Sequence, residues 1–423
     1  MSTPTPTTPA PAPAPAPPRD AQASRLLRDI VQSNAMVSVL AVVLALVLSG
    51  ILIAATDPTV QSTSGYFFAR PGDMIQAVWH SVSVAYVSIF QGSVIDFSAY
   101  GFAAGIHPLT ETLNYAMPLI VAGLGVALAF RAGMFNIGGQ GQILMGAAAA
   151  GWVGFSFHLP LAIHLPLAII AGIAGGALWG FIVGFLKART GAHEVILTIM
   201  LNYVALYLVS FMLRTPGLLQ APGSTNPQSP ATLPTAILPK LLGPNFNLNV
   251  GFLLVIAATI FCSWLLNRST LGFRFRAVGE NPHAARTAGI NVKNVYVWAM
   301  VLSGALVGIA GATQVLGTLT TGFSSGIDAG IGFDAITVAL LGRSRPWGVF
   351  GAGILFGALK AGGYAMQAAN GVPIDIVLVV QSLIVLFVAA PPLVRTIFRI
   401  RQTGSGSPRI RKASSSKTAV VTK

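Results

Sequence analysis

Residues 74–95, MIQAVWHSVSVAYVSIFQGSVI, decide how this chain is threaded. Counted as a full membrane crossing, the stretch inverts every segment after it. Counted as an interfacial or partly inserted helix, it leaves ten crossings elsewhere, and almost all the basic residues then fall on one side. Polar residues run all through it, and a polar group in hydrocarbon needs a partner. The second reading is adopted.

Composition makes the membrane the starting point. Of 423 residues, 54% are hydrophobic and only 9% charged, against about 25% charged in a soluble domain. So few charges cannot cover a solvated surface. The 46 glycines fit close helix packing in lipid. A net charge of +14 would point to nucleic acid in a soluble protein, but here it sits in short connections and tails, so nucleic acid is not an expected partner. The lone cysteine, Cys262, lies in an apolar run and excludes an intramolecular disulfide or a multi-cysteine metal site. The first apolar run, 36–55, is longer than a signal-peptide core and follows a polar segment, so a cleaved signal is not expected.

Crossing the hydrocarbon layer takes about 20 apolar residues. The runs that qualify are 36–55, 112–130, 139–157, 161–186, 194–213, 249–267, 294–317, 330–342, 347–367 and 374–394, the eighth short and interrupted by Gly330 and Gly332. With the N-terminus inside, every basic residue except Arg70, Arg214, Lys240 and Lys360 is cytoplasmic, which is the expected bias. The fold expected is an all-α integral membrane protein of about ten transmembrane helices, with broken or re-entrant segments and both termini cytoplasmic. A Pro-rich disordered tail (1–35) precedes the membrane domain (36–395), and a basic disordered tail (396–423) follows it. Outside loops are expected at 56–111 and 214–248, and the bilayer is the first partner.

Between two spans lies NRSTLGFRFRAVGENPHAARTAGINVK, residues 267–293. Asn281 caps and Pro282 starts a short helix, which Gly289 ends. So short a helix cannot be a core element. Two readings fit: a knob presented to another protein, or a basic loop at the lipid surface.

Three more polar breaks stand out. FRAGMFNIGGQGQ (130–142) places Asn136, Gln140 and Gln142 between apolar helices, as a tight turn or as the lining of a wet path. GAHEVILTIMLNY (191–203) opens a span with Glu194 at a helix N-terminus and carries Asn202 and Tyr203 two turns in. GIDAGIGFDAITVALLGRSR (326–345) sets Asp328 and Asp334 around two glycines, with Asp334 placed to cap a helix or line a path. Separately, Gly172, Gly176, Gly180 and Gly184 form a small-residue seam on one helix face, suited to close helix packing. There is no phosphate-binding loop, no histidine spacing suited to a metal and no Ser/His/Asp constellation, so catalytic, cofactor-binding and metal residues are all expected to be absent.

In their order along the chain, these motifs resemble the permease subunits of bacterial ABC importers of the simple-sugar and nucleoside group, within the ribose, nucleoside and branched-chain amino acid permease superfamily. That group carries Gly-x-Asn-x-x-Ala-Ala-x-x-x-Gly-Ile, matched by Gly279, Asn281, Ala284, Ala285, Gly289 and Ile290. It also carries close relatives of the 130–142, 191–203 and 332–342 runs. Gln140 stands where the group often has Glu, and His193 replaces an Asn. A role for a carboxylate at 140 is thereby lost. The resemblance covers about residues 110–395. It implies a membrane-embedded transport subunit, not an enzyme, in the cytoplasmic membrane. ATPase coupling would lie at Gly279, Glu280, Asn281, Ala284, Ala285, Arg286, Gly289 and Ile290. The translocation path would pass Asn136, Gln140, Gln142, Asn202, Tyr203 and Asp334. Its partners would be a second related permease, a cytoplasmic ATPase that alone binds ATP–Mg, and an extracytoplasmic substrate-binding lipoprotein. The cargo would be a nucleoside or simple sugar. The rival reading is an ion-gradient-driven secondary carrier of a small polar solute, and a third is a membrane scaffold without transport.

Overall fold

A computed structural model describes residues 34–373 and 375–398. The tails expected at 1–35 and 396–423 lie, but for the residues adjoining helices, outside the described residues. Fifteen α-helices are described: α1 (Asn34–Thr56), α2 (Pro58–Ser64), α3 (Pro71–Ser93), α4 (Phe102–Arg131), α5 (Gly139–Ser156), α6 (Leu161–Thr190), α7 (Glu194–Arg214), α8 (Gly251–Arg268), α9 (Thr270–Glu280), α10 (Pro282–Thr287), α11 (Val292–Thr313), α12 (Ile331–Leu341), α13 (Pro346–Asn370), α14 (Asp375–Ala389) and α15 (Pro391–Ile397). A π-turn, Gln314–Thr318, extends α11. No strand is present among the described residues, only one antiparallel bridge between Lys240 and Asn249.

Seven helices are long and apolar enough to cross a membrane: α1, α4, α6, α7, α8, α11 and α13. With α5, α12 and α14 they account for the ten expected segments. α12 has 11 residues, about 16 Å, half of a hydrocarbon layer of about 30 Å. The irregular stretch before it ends at Gly330, whose φ of 80° is left-handed.

α4 is the axis of the bundle. Every residue from Ala116 to Ala129 is buried, and α8, α11, α12 and α13 pack around it. The seam on α6 faces α11: a Cβ on Gly176 would lie 2.2 Å from the Gly304 carbonyl oxygen, while Gly172 backs onto Ala312 and Gly184 onto Val297. Two helices this close gain dispersion contact along their whole length, which is the force available where lipid competes for apolar side chains.

One expectation is corrected, the start of α4. Within 56–111 the helix expected at 74–95 is Pro71–Ser93, and a short helix, α2, precedes it. Asp57 Oδ1 accepts from the amides of Thr59 (2.7 Å) and Val60 (3.2 Å) and starts α2, and Pro71 occupies the first turn of α3. α4 begins at Phe102, ten residues before its apolar run, because His107 and Glu111 face a cavity and a loop instead of lipid. α3 packs against α1, α4 and α13. Tyr86 donates to the Leu46 carbonyl, Asn370 donates to Ser88 at 2.7 Å, and Thr112 donates to the Ser93 carbonyl at 2.6 Å. Its last turn thus stops beside Thr112, about 28 Å of helix short of Arg131, and the chain turns back to start α4.

The 214–248 stretch is irregular, as expected, but tied down. Ser229, Thr232 and Leu238 donate their amides to the carbonyls of Phe323 (3.0 Å), Thr320 (2.8 Å) and Leu316 (2.8 Å). Buried His164 bonds the Val153 carbonyl through Nε2 (2.9 Å) and the Thr235 hydroxyl through Nδ1 (2.8 Å). The carbonyl can only accept, so Nε2 carries the proton and Nδ1 accepts from Thr235.

Candidate functional site: the 267–293 segment and the polar knot behind it

α8 turns sharply into α9 at Ser269. Its Oγ accepts from the Gly272 amide at 2.9 Å and donates to the Leu265 carbonyl at 2.7 Å. α9 then lies across the end of the bundle, with Phe275 and Val278 buried beside α4 residues in the main core and Phe273 and Arg274 exposed. Arg276 Nη1 donates to the Leu266 carbonyl and holds α9 against the end of α8.

α10 follows at once. Asn281 Oδ1 accepts from the amides of His283 (3.0 Å) and Ala284 (3.1 Å), and Pro282 has no amide to leave unpaired. At the other end Gly289 adopts φ 82°, and the amides of Gly289 and Ile290 return to the carbonyls of Arg286 and Ala285, both at 3.0 Å. Asn291 Oδ1 then accepts from Asn294 at 3.2 Å and starts α11. A six-residue helix has no stability of its own; caps at both ends and one buried anchor, Ala285, supply it. Glu280, Asn281, Ala284, Arg286 and Gly289 are exposed, Gly279 and Ile290 half-buried.

Gly279 joins this segment to the bundle. A Cβ there would lie 2.3 Å from the Arg131 carbonyl oxygen and 3.1 Å from the amide nitrogen of Gly133, which itself adopts φ 72°. The main chain at the end of α9 therefore rests on the main chain of the 130–142 run. Arg131 Nε donates to the Ser344 carbonyl at 2.9 Å. The Phe135 amide reaches Glu194 Oε1 at 3.5 Å, and Glu194 also pairs with Lys187. Four connections between helices converge at this end, and each brings a basic side chain (Arg131, Lys187, Arg276 and Arg345).

Behind the joint is a buried polar knot. Asn136 Nδ2 donates to Ser303 Oγ (2.8 Å) and Gln142 Oε1 (3.1 Å), and its Oδ1 accepts from the Gly138 amide (2.9 Å). Ser303 passes the chain on to the Gly125 carbonyl at 2.7 Å. Asn202 Nδ2 donates to the Ile137 carbonyl (2.9 Å) and its Oδ1 accepts from the Gly141 amide (2.8 Å). The unwound backbone between α4 and α5 is thus satisfied by Asn202 of α7 and by its own Asn136, which Ser303 of α11 holds in place. Gln142 Nε2 has no hydrogen-bond partner among the described residues.

Of the six residues assigned to a path, Asn136, Gln142 and Asn202 are buried in this knot. Gln140 is half-buried at the start of α5, against Gly332 of α12. Asp334 pairs with Lys360 at 3.4 Å across α12 and α13. Tyr203 is 55% exposed on the outer face of α7, away from the knot that its neighbour Asn202 enters. Asp328 is buried and accepts from the amides of Gly330 (3.2 Å) and Gly332 (2.9 Å), which fixes the break before α12. Ser303 escaped the sequence reading, since a lone serine in an apolar helix carries no signal. Among the described residues no group of His, Cys, Asp and Glu could hold a metal ion.

The chain matches a family model described as the branched-chain amino acid transport system / permease component over residues 109–389. It is 40% identical to the guanosine ABC transporter permease protein NupP of Bacillus subtilis over 72% of this chain and 88% of that protein. It is 36% identical to the glucose ABC transporter permease protein TsgB13 of Haloferax volcanii, over 75% of this chain and 86% of the other. A second guanosine permease of Bacillus subtilis, NupQ, is 31% identical over 58% of this chain and 78% of its own length. No solved structure matches. The matched residues run from Leu109 within α4 to the end of α14 and contain the whole joint and the whole knot, and the chain belongs to this family: it is a multi-pass permease subunit of an ABC importer in the cell membrane.

Proposed function

We propose that this permease carries a nucleoside or simple sugar inward and that α9 and α10 receive the stroke of a separate ATPase subunit. The observation that carries the proposal is the backbone contact of Gly279 with Arg131 and Gly133. A displaced α10 has no soft side chain through which to dissipate its movement before it reaches the run that holds Asn136. Glu280, Asn281, Ala284 and Arg286 form the exposed docking face, Ala285 and Ile290 anchor it, and Gly279 and Gly289 permit its turns. ATP–Mg binds on the partner and not on this chain. The joint and both tails face the cytoplasm, in keeping with the basic residues gathered there.

The similarity to both NupP and NupQ, two guanosine permeases of one organism, supports a second, related permease as the partner that completes the path. Gln140, Asp334 and the knot of Asn136, Gln142 and Asn202 lie on or directly behind that path. An extracytoplasmic lipoprotein delivers the solute at the opposite end. The relatives named for guanosine and for glucose both contain a hydroxylated ring in their cargo, which is the class assigned here.

The test is uptake of radiolabelled nucleosides, pentoses and hexoses in cells lacking the gene, with and without ATP depletion. Restoration by the intact chain, lost on ATP depletion, is the expected result. Arg286→Glu and Gly289→Pro are expected to insert normally and abolish uptake. Normal uptake by both at equal protein level would refute the coupling role, and uptake that survives ATP depletion but collapses with the proton gradient would make the chain a secondary carrier.

A further inference from the structure

The end of α4 remote from the coupling segment holds a cavity of about 460 Å³, where α3, α4 and α13 converge. We propose that it is a binding site for the hydroxylated ring of the solute, recognised through a pair of vicinal hydroxyls. Its walls carry Gln91, Asp96, His107, Glu111, Tyr115 and Tyr364. None of these belongs to the knot or to the coupling segment.

The donor set fits one chemistry. Two carboxylates, on Asp96 and Glu111, offer acceptors to hydroxyl groups, and charge-assisted bonds of this kind are stronger than neutral ones. Glu111 is held in place: Oε1 accepts from Asn247 Nδ2 at 2.8 Å and lies 3.8 Å from His107 Nε2, which leaves Oε2 for a ligand. Asp96 is steadied by the Ser98 amide at 2.9 Å. Tyr115 and Tyr364 stack with ring centroids 5.5 Å apart, a platform for the C–H face of a sugar ring, and Tyr364 stays 45% exposed beside the cavity. Few precise polar groups around an aromatic surface are what small-molecule sites consist of. Outside the cavity, the loop residue Phe246 stacks 5.9 Å from His107 and helps to hold it.

No apolar solute matches two carboxylates, an amide and an imidazole, and a bare cation would leave the tyrosine platform unused. The site rests on the proposed function only for its place in transport, since it would hold the solute before the path opens toward the knot.

The test is saturation-transfer NMR on the full chain in nanodiscs, with guanosine, ribose and glucose as probes and 2′,3′-dideoxyguanosine as control. Transfer to sugar-ring protons is expected for guanosine and lost with the dideoxy control. Transfer from guanosine and ribose together assigns the pentose ring, and transfer from glucose as well extends the site to hexoses. Glu111→Gln and Tyr364→Ala are expected to weaken binding about tenfold, while Tyr364→Phe, which keeps the ring, stays near the parent. Because Tyr364 is exposed, its truncation does not threaten the fold. Absence of transfer with the parent chain, equal transfer with the dideoxy control, or unchanged transfer in both weakened variants overturns the proposal. Binding that follows the expected pattern in a chain that shows no ATP-dependent uptake leaves this site standing and refutes the importer mechanism instead.

Discussion

The two ends of α4 are made of different material. At Arg131 the helix ends in main chain pressed on main chain, where Gly279 would bring a Cβ to 2.3 Å of a carbonyl oxygen. At the Phe102 end the helix is flanked by a cavity of about 460 Å³ whose walls are side chains, joined to a loop by the bond of Asn247 to Glu111. Packed backbone is nearly incompressible and passes displacement on. Side chains with free volume around them adjust to a ligand. One helix thus unites a rigid joint and an adaptable chamber, and substitutions at its two ends should differ accordingly.

The sharpest break is Gly279→Val. Its branched side chain meets the backbone of Arg131 and Gly133, neither of which can rotate away. We expect uptake below about a tenth of the parent and a lower unfolding temperature, read by transport assay at matched membrane level and by thermal unfolding in detergent. Parent-like uptake would show that the joint is not rigid and would remove the contrast between the ends. One step behind it, Asn136→Leu strands the Gln142 carbonyl oxygen and the Gly138 amide in a buried site and takes from Ser303 the donor it accepts from. The expected loss is about 3 kcal/mol of stability, measured by denaturation, with Ser303→Ala costing about 1 kcal/mol. Asn281→Ala removes the α10 cap and should cost about 1 kcal/mol locally. Its readout is uptake, reduced severalfold with insertion unchanged, because a frayed knob docks poorly while the spans hold.

Much of this arrangement was legible along the chain, for physical reasons that also mark where legibility ends. Apolar run length located the ten segments, since hydrocarbon thickness dictates it, and the Asn281–Pro282 start and Gly289 stop of α10 follow from backbone chemistry alone. The polar scatter of residues 74–95 showed that α3 is not an ordinary span. Hydropathy failed for the first turns of α4, because His107 and Glu111 look like loop residues until a cavity is there to receive them. The same preference for apolar runs hid α2, although Asp57–Pro58 is an ordinary helix start. Asn136 was visible as an intramembrane amide, but its partner Ser303 is 167 residues away. Asp334 and Lys360 each stood out as a charge in a span. Their pairing depends on how α12 and α13 cross, which no local pattern encodes.

The smallest expected effect lies at the chamber. Asn247 donates to Glu111 from an exposed loop position, so Asn247→Ala removes a bond that water can replace. Global stability should change by no more than about 0.5 kcal/mol, within the scatter of a thermal unfolding measurement. Locally the loop loses its tether to α4, and limited proteolysis between Leu241 and Asn249 should quicken while cleavage elsewhere stays the same. A large loss of stability would mean that the 241–249 loop is part of the packed framework, as the Ser229–Leu238 stretch is through its ladder to 316–323. The two ends of α4 would then be equally rigid. A small loss with faster local cleavage keeps them distinct, because a tether between side chains can be cut without disturbing the backbone beneath it, whereas the contact at Gly279 is the backbone.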